Sequence, residues 1–282
     1  MTSQPPRHAN HPAGFARLDE AGFPLFQPGT VWLAGAGPGA PGLLSLLAYH
    51  GLQHCDCVIY DALVNPAILD WLPAGRETIY AGKRGGKPSP AQGDISRKLV
   101  ALARAGKRVL RLKGGDPFMF GRGGEECQAL ADAGIAFRIV PGITAGIGGL
   151  AYAGIPATHR DTNHAVIFVT GHDASGRLPS NVDWTAIATA APVIVMYMAL
   201  KSAPDIARAL IAGGRDPADT VTFISNATLP HQSMAATTLG EVESFLSANH
   251  VATPAIVVAG PVERWRGVLD WYDGPARRNP LG

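Results

Sequence analysis

Val109-Leu110-Arg111-Leu112-Lys113-Gly114-Gly115-Asp116-Pro117-Phe118-Met119-Phe120-Gly121-Arg122-Gly123-Gly124-Glu125-Glu126 is the stretch whose reading decides the fold. Its first five residues form a β-branched and aliphatic run that reads as a strand. From about Glu125 to Ala133 the apolar spacing becomes that of a helix. Between them lie glycines at 114, 115, 121, 123 and 124, Pro117, two aromatics and several charges. A plain strand-to-helix connection needs one or two glycines and a cap. This one is more elaborate, so its backbone is expected to approach a ligand closely.

On both sides the same alternation continues. Strands are expected at Val31–Ala36, Cys57–Tyr60, Thr78–Ala81, Val109–Lys113 and Ala136–Val140, with helices from about Pro41 to Leu52 and from Gln92 to Ala105. Short apolar strands alternating with helices indicate an α/β domain around a mostly parallel sheet. Gly142–Pro156 is apolar and holds five glycines, which suits a tightly packed helix leading out of that domain. Beyond it strands are expected at Ala165–Thr170, Val193–Met198, Thr220–Ser225, Ser233–Thr238 and Ala255–Ala259, and helices at Ala203–Ala212 and Glu241–Ala248. Strands in hairpin reach with fewer helices between them indicate a mixed sheet with antiparallel pairing. The expected division is a surface or disordered tail over 1–28, an α/β domain over 29–150, a second over 151–270, and a loose tail over 271–282.

A chain of 282 residues with 46% hydrophobic content can bury sizeable cores. Its formal net charge of +2 gives no support for a general nucleic-acid or membrane-surface protein, so an anionic partner must be met by local clusters. No apolar run reaches the roughly 18 residues of a membrane span, and none resembles a secretory leader. Three cysteines, Cys55, Cys57 and Cys127, cannot build a disulfide framework, which suits the cytoplasm.

Four constellations carry possible chemistry. Gly37-x-Gly39-x-x-Gly42 follows the first strand and formally satisfies the dinucleotide fingerprint, with Asp61 downstream. Pro38 and Pro41 argue against it, because both remove amide donors where a pyrophosphate would sit. A rigid turn offering backbone atoms to another nucleotide-like ligand fits better. Asp61 follows a buried strand and either faces a ligand crevice or starts a turn. Gly82-Lys83-Arg84-Gly85-Gly86-Lys87 places three cations among glycines without P-loop spacing, and suits carboxylates or a solvated loop. His50, His54, Cys55 and Cys57 invite a metal reading. Both thiols, however, are expected on one face of a strand among apolar neighbours, and no metal is expected. His159-Arg160-Asp161 and His172-Asp173 are polar loop positions without the partners of a nucleophilic triad.

Taken in order and spacing, these motifs resemble the uroporphyrinogen-III C-methyltransferase family in its single-function form. So do Pro141-Gly142-Ile143-Thr144-Ala145, Gly154-Ile155-Pro156-Ala157-Thr158-His159-Arg160-Asp161 and Val169-Thr170-Gly171-His172. The resemblance covers residues from about 31 to 270. It implies the α/β, two-domain tetrapyrrole methylase fold, with the active site in the cleft between the two α/β domains. It also implies S-adenosyl-L-methionine as methyl donor, released as S-adenosyl-L-homocysteine, no metal, and a homodimer. The reaction implied is double methylation of uroporphyrinogen III at C2 and C7, giving precorrin-2 for sirohaem and cobalamin biosynthesis. By position, the cofactor would meet Pro38, Gly114, Gly115, Asp116, Met119, Thr144, Ala145, Met198, Ala227 and Ala255, with Asp61 as proton acceptor and Lys83 as proton donor. Charge and placement add Arg84, Lys87, Arg111, Lys113, Arg122 and Arg160 as candidate contacts for the substrate's carboxylates.

Two positions depart from the family's pattern. Ala62 stands where many relatives carry Arg, and Ala227 where many carry Gly; the latter is harmless unless a positive φ is required. The 28 residues before the first strand are too few for the oxidoreductase module of the fused sirohaem synthases, so methylation alone is expected. The alternatives are a later precorrin methyltransferase of the same fold, a Rossmann oxidoreductase and a non-catalytic nucleotide-binding protein.

Overall fold

The computed structural model describes residues 22–82, 92–173 and 177–272. Its first half runs β1 (Val31–Gly35), α1 (Leu46–His54), β2 (Cys57–Tyr60), α2 (Pro66–Leu69), β3 (Glu77–Tyr80), α3 (Gln92–Arg104), β4 (Val109–Lys113), α4 (Gly123–Asp132), β5 (Phe137–Val140) and α5 (Ala145–Tyr152). The strands form one all-parallel sheet in the order β3-β2-β4-β1-β5. Alternate strand residues feed two cores, as the period-two geometry of a strand requires. Trp32, Ala34, Val58, Leu110 and Leu112 pack with Ala48 and Leu52 of α1 on one face. Val31, Leu33, Cys57, Ile59 and Val109 pack with Ile95 and Leu99 of α3 and Leu130 of α4 on the other. Coverage on both faces is the reason these strands read as continuous apolar runs. Each fully buried leucine here contributes about 1.5–3 kcal/mol.

The second half runs β6 (Val166–Thr170), α6 (Trp184–Ala190), β7 (Val193–Tyr197), α7 (Ala203–Ala212), β8 (Thr220–Ser225), β9 (Ser233–Thr238), α8 (Val242–Ala248), β10 (Ala255–Ala259) and α9 (Arg266–Leu269). The sheet order is β6-β7-β10-β8-β9, with β6 and β7 parallel and every other pair antiparallel. This is the mixed sheet that the hairpin spacing of β8 and β9 predicts.

Several local expectations change. The helix expected from Pro41 is interrupted: a single 3-10 turn spans Pro41–Leu43, and α1 begins at Leu46 because the Ser45 side chain caps it by accepting the amide of Ala48. Cys55 and Cys57 do not share a strand face. Cys55 is the residue that ends α1, β2 starts only at Cys57, and the two thiols fall into opposite cores. The short helices α2 and α6 were not legible as periodic stretches; both begin at side-chain caps, Asn65 and Asp183. Residues read as tails also pack. Phe26 is buried and stacks on Trp32, with ring centroids 4.4 Å apart. Beyond α9, Trp271 donates its indole N–H to Ala151 O, and Tyr272 lies against Tyr152.

Candidate functional site

The carboxyl ends of β1, β2 and β4 meet the ends of β7 and β8 around a cavity of about 750 Å³. Ligand crevices in parallel sheets form outside the carboxyl ends of the strands, where loops leave the sheet and amides are free to turn toward a guest. Three backbones converge at its base. Gly37 and Gly115 exchange both N–H···O bonds, at 3.2 and 2.8 Å. A Cβ on Gly142 would lie 2.3 Å from Gly115 O and 2.7 Å from the Gly35 Cα. Only glycine fits there, which explains a glycine-proline turn that failed as a dinucleotide fingerprint.

Asp61 begins the turn after β2, and its carboxylate also reaches across the crevice. It accepts the amide of Leu63 at 3.0 Å and the amide of Gly114 at 3.2 and 3.3 Å. Both readings of this residue therefore hold: it starts a turn and it lines the cavity. Asp116 instead ties loops together, accepting from Phe118 N at 2.8 Å and from Gly142 N at 2.9 Å.

The two halves are joined across the cavity by side chain to backbone bonds. Tyr197, at the end of β7, places its hydroxyl 2.7 Å from Thr144 Oγ1 and accepts the amide of Gly146 at 2.8 Å. Gly146 lies in the first turn of α5, where amides lack intrahelical partners. Burial pushes the Tyr197 phenol above its ordinary pKa, so it stays protonated at neutral pH. The Phe120 ring lies 4.9 Å from it. On the other side Thr228 Oγ1 accepts the amide of Ala40 at 2.8 Å.

Among the described residues, the positive-φ positions other than glycine gather here: Phe120, Arg122, Met198, Asn226 and Thr228, with φ between 50° and 68°. All but Thr228 line the cavity. Such conformations cost energy and persist where surrounding contacts enforce them, commonly at ligand sites. Ala227 lies between two of them but is not itself left-handed, so alanine is accommodated at that departure.

Of the cofactor contacts expected from sequence, Pro38, Gly114, Gly115, Met119, Thr144, Ala145 and Met198 line the cavity, whereas Asp116, Ala227 and Ala255 lie behind it. Pro254, one residue before Ala255, takes the lining position. Among the candidate cations, Arg111 and Lys113 border the cavity but are almost fully buried, with Glu126 between them. Glu126 Oε1 is 3.0 Å from Arg111 Nε, and its Oε2 is 3.1 Å from Lys113 Nζ. The physical reason is their strand: β4 is covered on both faces, so its cations need an internal counter-ion. Arg122 lines the cavity, exposed and paired with Glu125 at 2.6 Å. Arg160 lies outside the lining, in an exposed loop held where Thr162 Oγ1 accepts from Arg264 and from the Trp265 indole. Lys83, Arg84 and Lys87 lie outside the described residues.

Sequence reasoning missed Tyr197, Phe120, Asn226 and His231, all of which line the cavity. The signal available for Tyr197 was a hydroxyl at the end of an otherwise aliphatic strand. Burial pushes the thiols of Cys55, Cys57 and Cys127 up to about 12, 11 and 11, away from nucleophilic or metal-binding thiolates. Among the described residues no group of three or more His, Cys, Asp or Glu converges, and no helix is long and apolar enough to cross a membrane.

Comparison with known proteins gives one consistent family. Residues 30–243 match the Tetrapyrrole (Corrin/Porphyrin) Methylases. A uroporphyrinogen-III C-methyltransferase from Sinorhizobium sp is 58% identical over 251 residues, covering 89% of this chain and 90% of that protein. A siroheme synthase from Pseudomonas putida is 46% identical over 253 residues; the chain spans 54% of that protein's length. The crystal structure of a Thermus thermophilus uroporphyrin-III C-methyl transferase, complexed with S-adenyl homocysteine, superimposes with a TM-score of 0.73 at 37% identity, covering 83% of this chain and 99% of that one.

Proposed function

Because the chain belongs to the tetrapyrrole methylase family, we propose that it is an S-adenosylmethionine-dependent uroporphyrinogen-III C-methyltransferase. It methylates its substrate twice, at C2 and C7, to give precorrin-2 for sirohaem and cobalamin biosynthesis. The observation that carries this reading is the 58% identity to a uroporphyrinogen-III C-methyltransferase over nine-tenths of both chains.

The cavity suits the methyl donor on its own geometry. Its volume is in the range of small-molecule sites, and its walls combine apolar Met119, Phe120, Ala145 and Met198 with the bare backbone of Gly114 and Gly115. Those residues, with Pro38 and Thr144, would hold it. When bound, the donor would supply an electrophilic sulfonium methyl to an electron-rich pyrrole carbon, with S-adenosylhomocysteine as the leaving group.

This chain's residues then have two tasks. Positioning supplies a large share of the acceleration, because the reacting atoms must be held in line at close approach. The Gly37–Gly115 bridge fixes the loops after β1 and β4, and the Tyr197–Thr144 bond ties that wall to the second half. The methylated ring is cationic and must lose a proton to restore conjugation. Asp61 is the group we assign as acceptor, its carboxylate oriented by the amides of Leu63 and Gly114. Lys83 remains the assigned donor by position in the sequence. Arg122, together with Arg84, Lys87 and Arg160, is assigned to the substrate's carboxylates. We read the protein further as a cytoplasmic homodimer.

The test is incubation with uroporphyrinogen III and S-adenosylmethionine labelled in the methyl group. Incorporation of two methyl groups with precorrin-2 as product is expected. No incorporation from this substrate, with turnover of an already methylated precorrin, would replace this reading with a later methyltransferase of the same fold.

A further inference from the structure

We infer that Glu126 is a positioning residue for the methyl transfer, acting through Lys113 and Gly114 on the orientation of Asp61; this rests on the function proposed above. Arg111 and Lys113 are alternate residues of β4 and share the sheet face that α3 and α4 cover. Glu126 of α4 is fully buried and divides its two oxygens between them. Arg111 additionally donates to the carbonyls of Ile59 and Leu112, at 3.3 and 3.2 Å.

A pair between Arg111 and Glu126 alone would already balance one buried cation with one anion. Lys113 is an extra charge in that interior. Burial, and then the neighbouring Arg111, lower its pKa, while Glu126 pulls it back up. Buried ionic groups are poor stabilisers, so the second cation is not explained by fold stability. Its place in the chain does explain it. Gly114 follows it directly and has no slack: a Cβ there would lie 2.5 Å from the Leu63 Cβ. The Gly114 amide donates to both oxygens of Asp61. Any shift of residue 113 therefore moves the donor that aims the proposed proton acceptor.

Glu126 also closes the base of the loop from Gly114 to Arg122, binding its entry strand to its exit helix. That loop holds Phe120 and Arg122 in left-handed conformations, which persist only when their surroundings over-determine them. Among the described residues, the charged and titratable groups that face Lys113 are Arg111 from its own strand, Glu126, Glu125 and Cys127 from α4, and Asp61 from the turn after β2. Glu125 is engaged with Arg122 on the outer side, and the Cys127 thiol is neutral, pushed up to about 11.

Glu126→Gln tests the assignment. Without the carboxylate the Lys113 pKa falls further, since its main attraction is gone. Its charged form is then favoured toward lower pH, where it sits beside Arg111 without that counter-ion. The expected result is a kcat that drops on the order of 10- to 100-fold, with the loss larger on the acid side of the pH profile than on the alkaline side. The double variant Lys113→Met/Glu126→Gln removes the cation with the anion and is expected to flatten that profile. An equal loss at every pH, or a loss matched entirely by a lower melting temperature, overturns the inference. Should Glu126→Gln not fold, Lys113→Met decides instead. It retains the Arg111–Glu126 pair and is expected to lower kcat several-fold while S-adenosylhomocysteine affinity holds; wild-type kcat overturns the inference. Wild-type protein assayed in parallel separates the two claims, because failure of the proposed function shows as no methylation by the wild type itself.

Discussion

The carboxylate of Asp61 accepts the backbone N–H of Gly114 on both oxygens, at 3.2 and 3.3 Å, across the gap between the ends of β2 and β4. A strand-end acid and a glycine loop thus form one unit, with the acid aimed by the loop that floors the cavity. Asp61→Asn keeps an acceptor for that amide but removes the basic oxygen. Turnover is expected to fall on the order of 100-fold or more, with S-adenosylhomocysteine affinity changing by less than about threefold. Single-turnover methyl transfer and a titration with S-adenosylhomocysteine measure the two quantities. A collapse of affinity with wild-type turnover of the bound fraction would remove the proton-acceptor role.

Tyr197 is the other tie across the cavity. Tyr197→Phe leaves the buried Gly146 amide without its acceptor and the Thr144 hydroxyl without its phenol partner. The expected loss is about 1–3 kcal/mol of stability, read by urea unfolding, together with weaker S-adenosylhomocysteine binding. Since the phenol pKa is raised, the wild type should show no Tyr197 titration near neutral pH. A Tyr197→Phe variant as stable and as tightly binding as wild type would reduce Tyr197 to wall packing.

How far the sequence carried differs by element. The strands of the first half were legible because burial on both faces leaves unbroken apolar runs such as Val31–Gly35. The glycine loop after β4 was legible as a ligand-contacting backbone because nothing else requires so many glycines. The division of labour among the cations was not. Arg111 and Lys113 look like substrate contacts until Glu126 is seen folded back onto them from fifteen residues away. Left-handed Phe120, Met198 and Asn226 were equally hidden, since the sequence rule for positive φ points to glycine. Tyr197 ends a fully buried strand, where no alternation tells which side a residue faces.

At the opposite end of the first sheet, Asp56 accepts from Arg108 at 2.6 and 3.0 Å from the guanidinium and at 2.8 Å from the backbone. The Arg108 side chain is the main cause that holds the Asp56 carboxyl down to about 2. A folded-state pKa below the unfolded one stabilises above the unfolded value, and that stability disappears as pH falls through the folded value. Asp56→Asn should therefore cost roughly 1–2 kcal/mol at pH 7, allowing for partial solvent screening, and almost nothing near pH 2. Urea unfolding of both proteins at pH 7 and pH 2 gives the comparison. Equal stabilities at pH 7 would mean that the pair adds nothing.

The glycines separate a backbone-built cofactor site from a dinucleotide loop. In the fingerprint reading, Gly42 is the third glycine, needed where a helix packs closely on a strand. In the structure Gly42 is exposed, and a Cβ there meets nothing within 4 Å. Gly42→Ala is expected to stay within about 0.5 kcal/mol of wild type and to retain activity. Gly142→Ala is the opposite case. Its Cβ would lie 2.3 Å from the Gly115 carbonyl oxygen and 2.7 Å from the Gly35 Cα, and both are backbone atoms with no side chain to swing aside. Relief requires the loops after β1, β4 and β5 to part, which breaks the Gly37–Gly115 bridge and the Asp116 bond to Gly142. A loss of at least about 1–3 kcal/mol is expected, with activity lost alongside. Melting temperature and methyl transfer measured on both variants decide the matter. Damage from Gly42→Ala with tolerance of Gly142→Ala would return the turn after β1 to the dinucleotide reading.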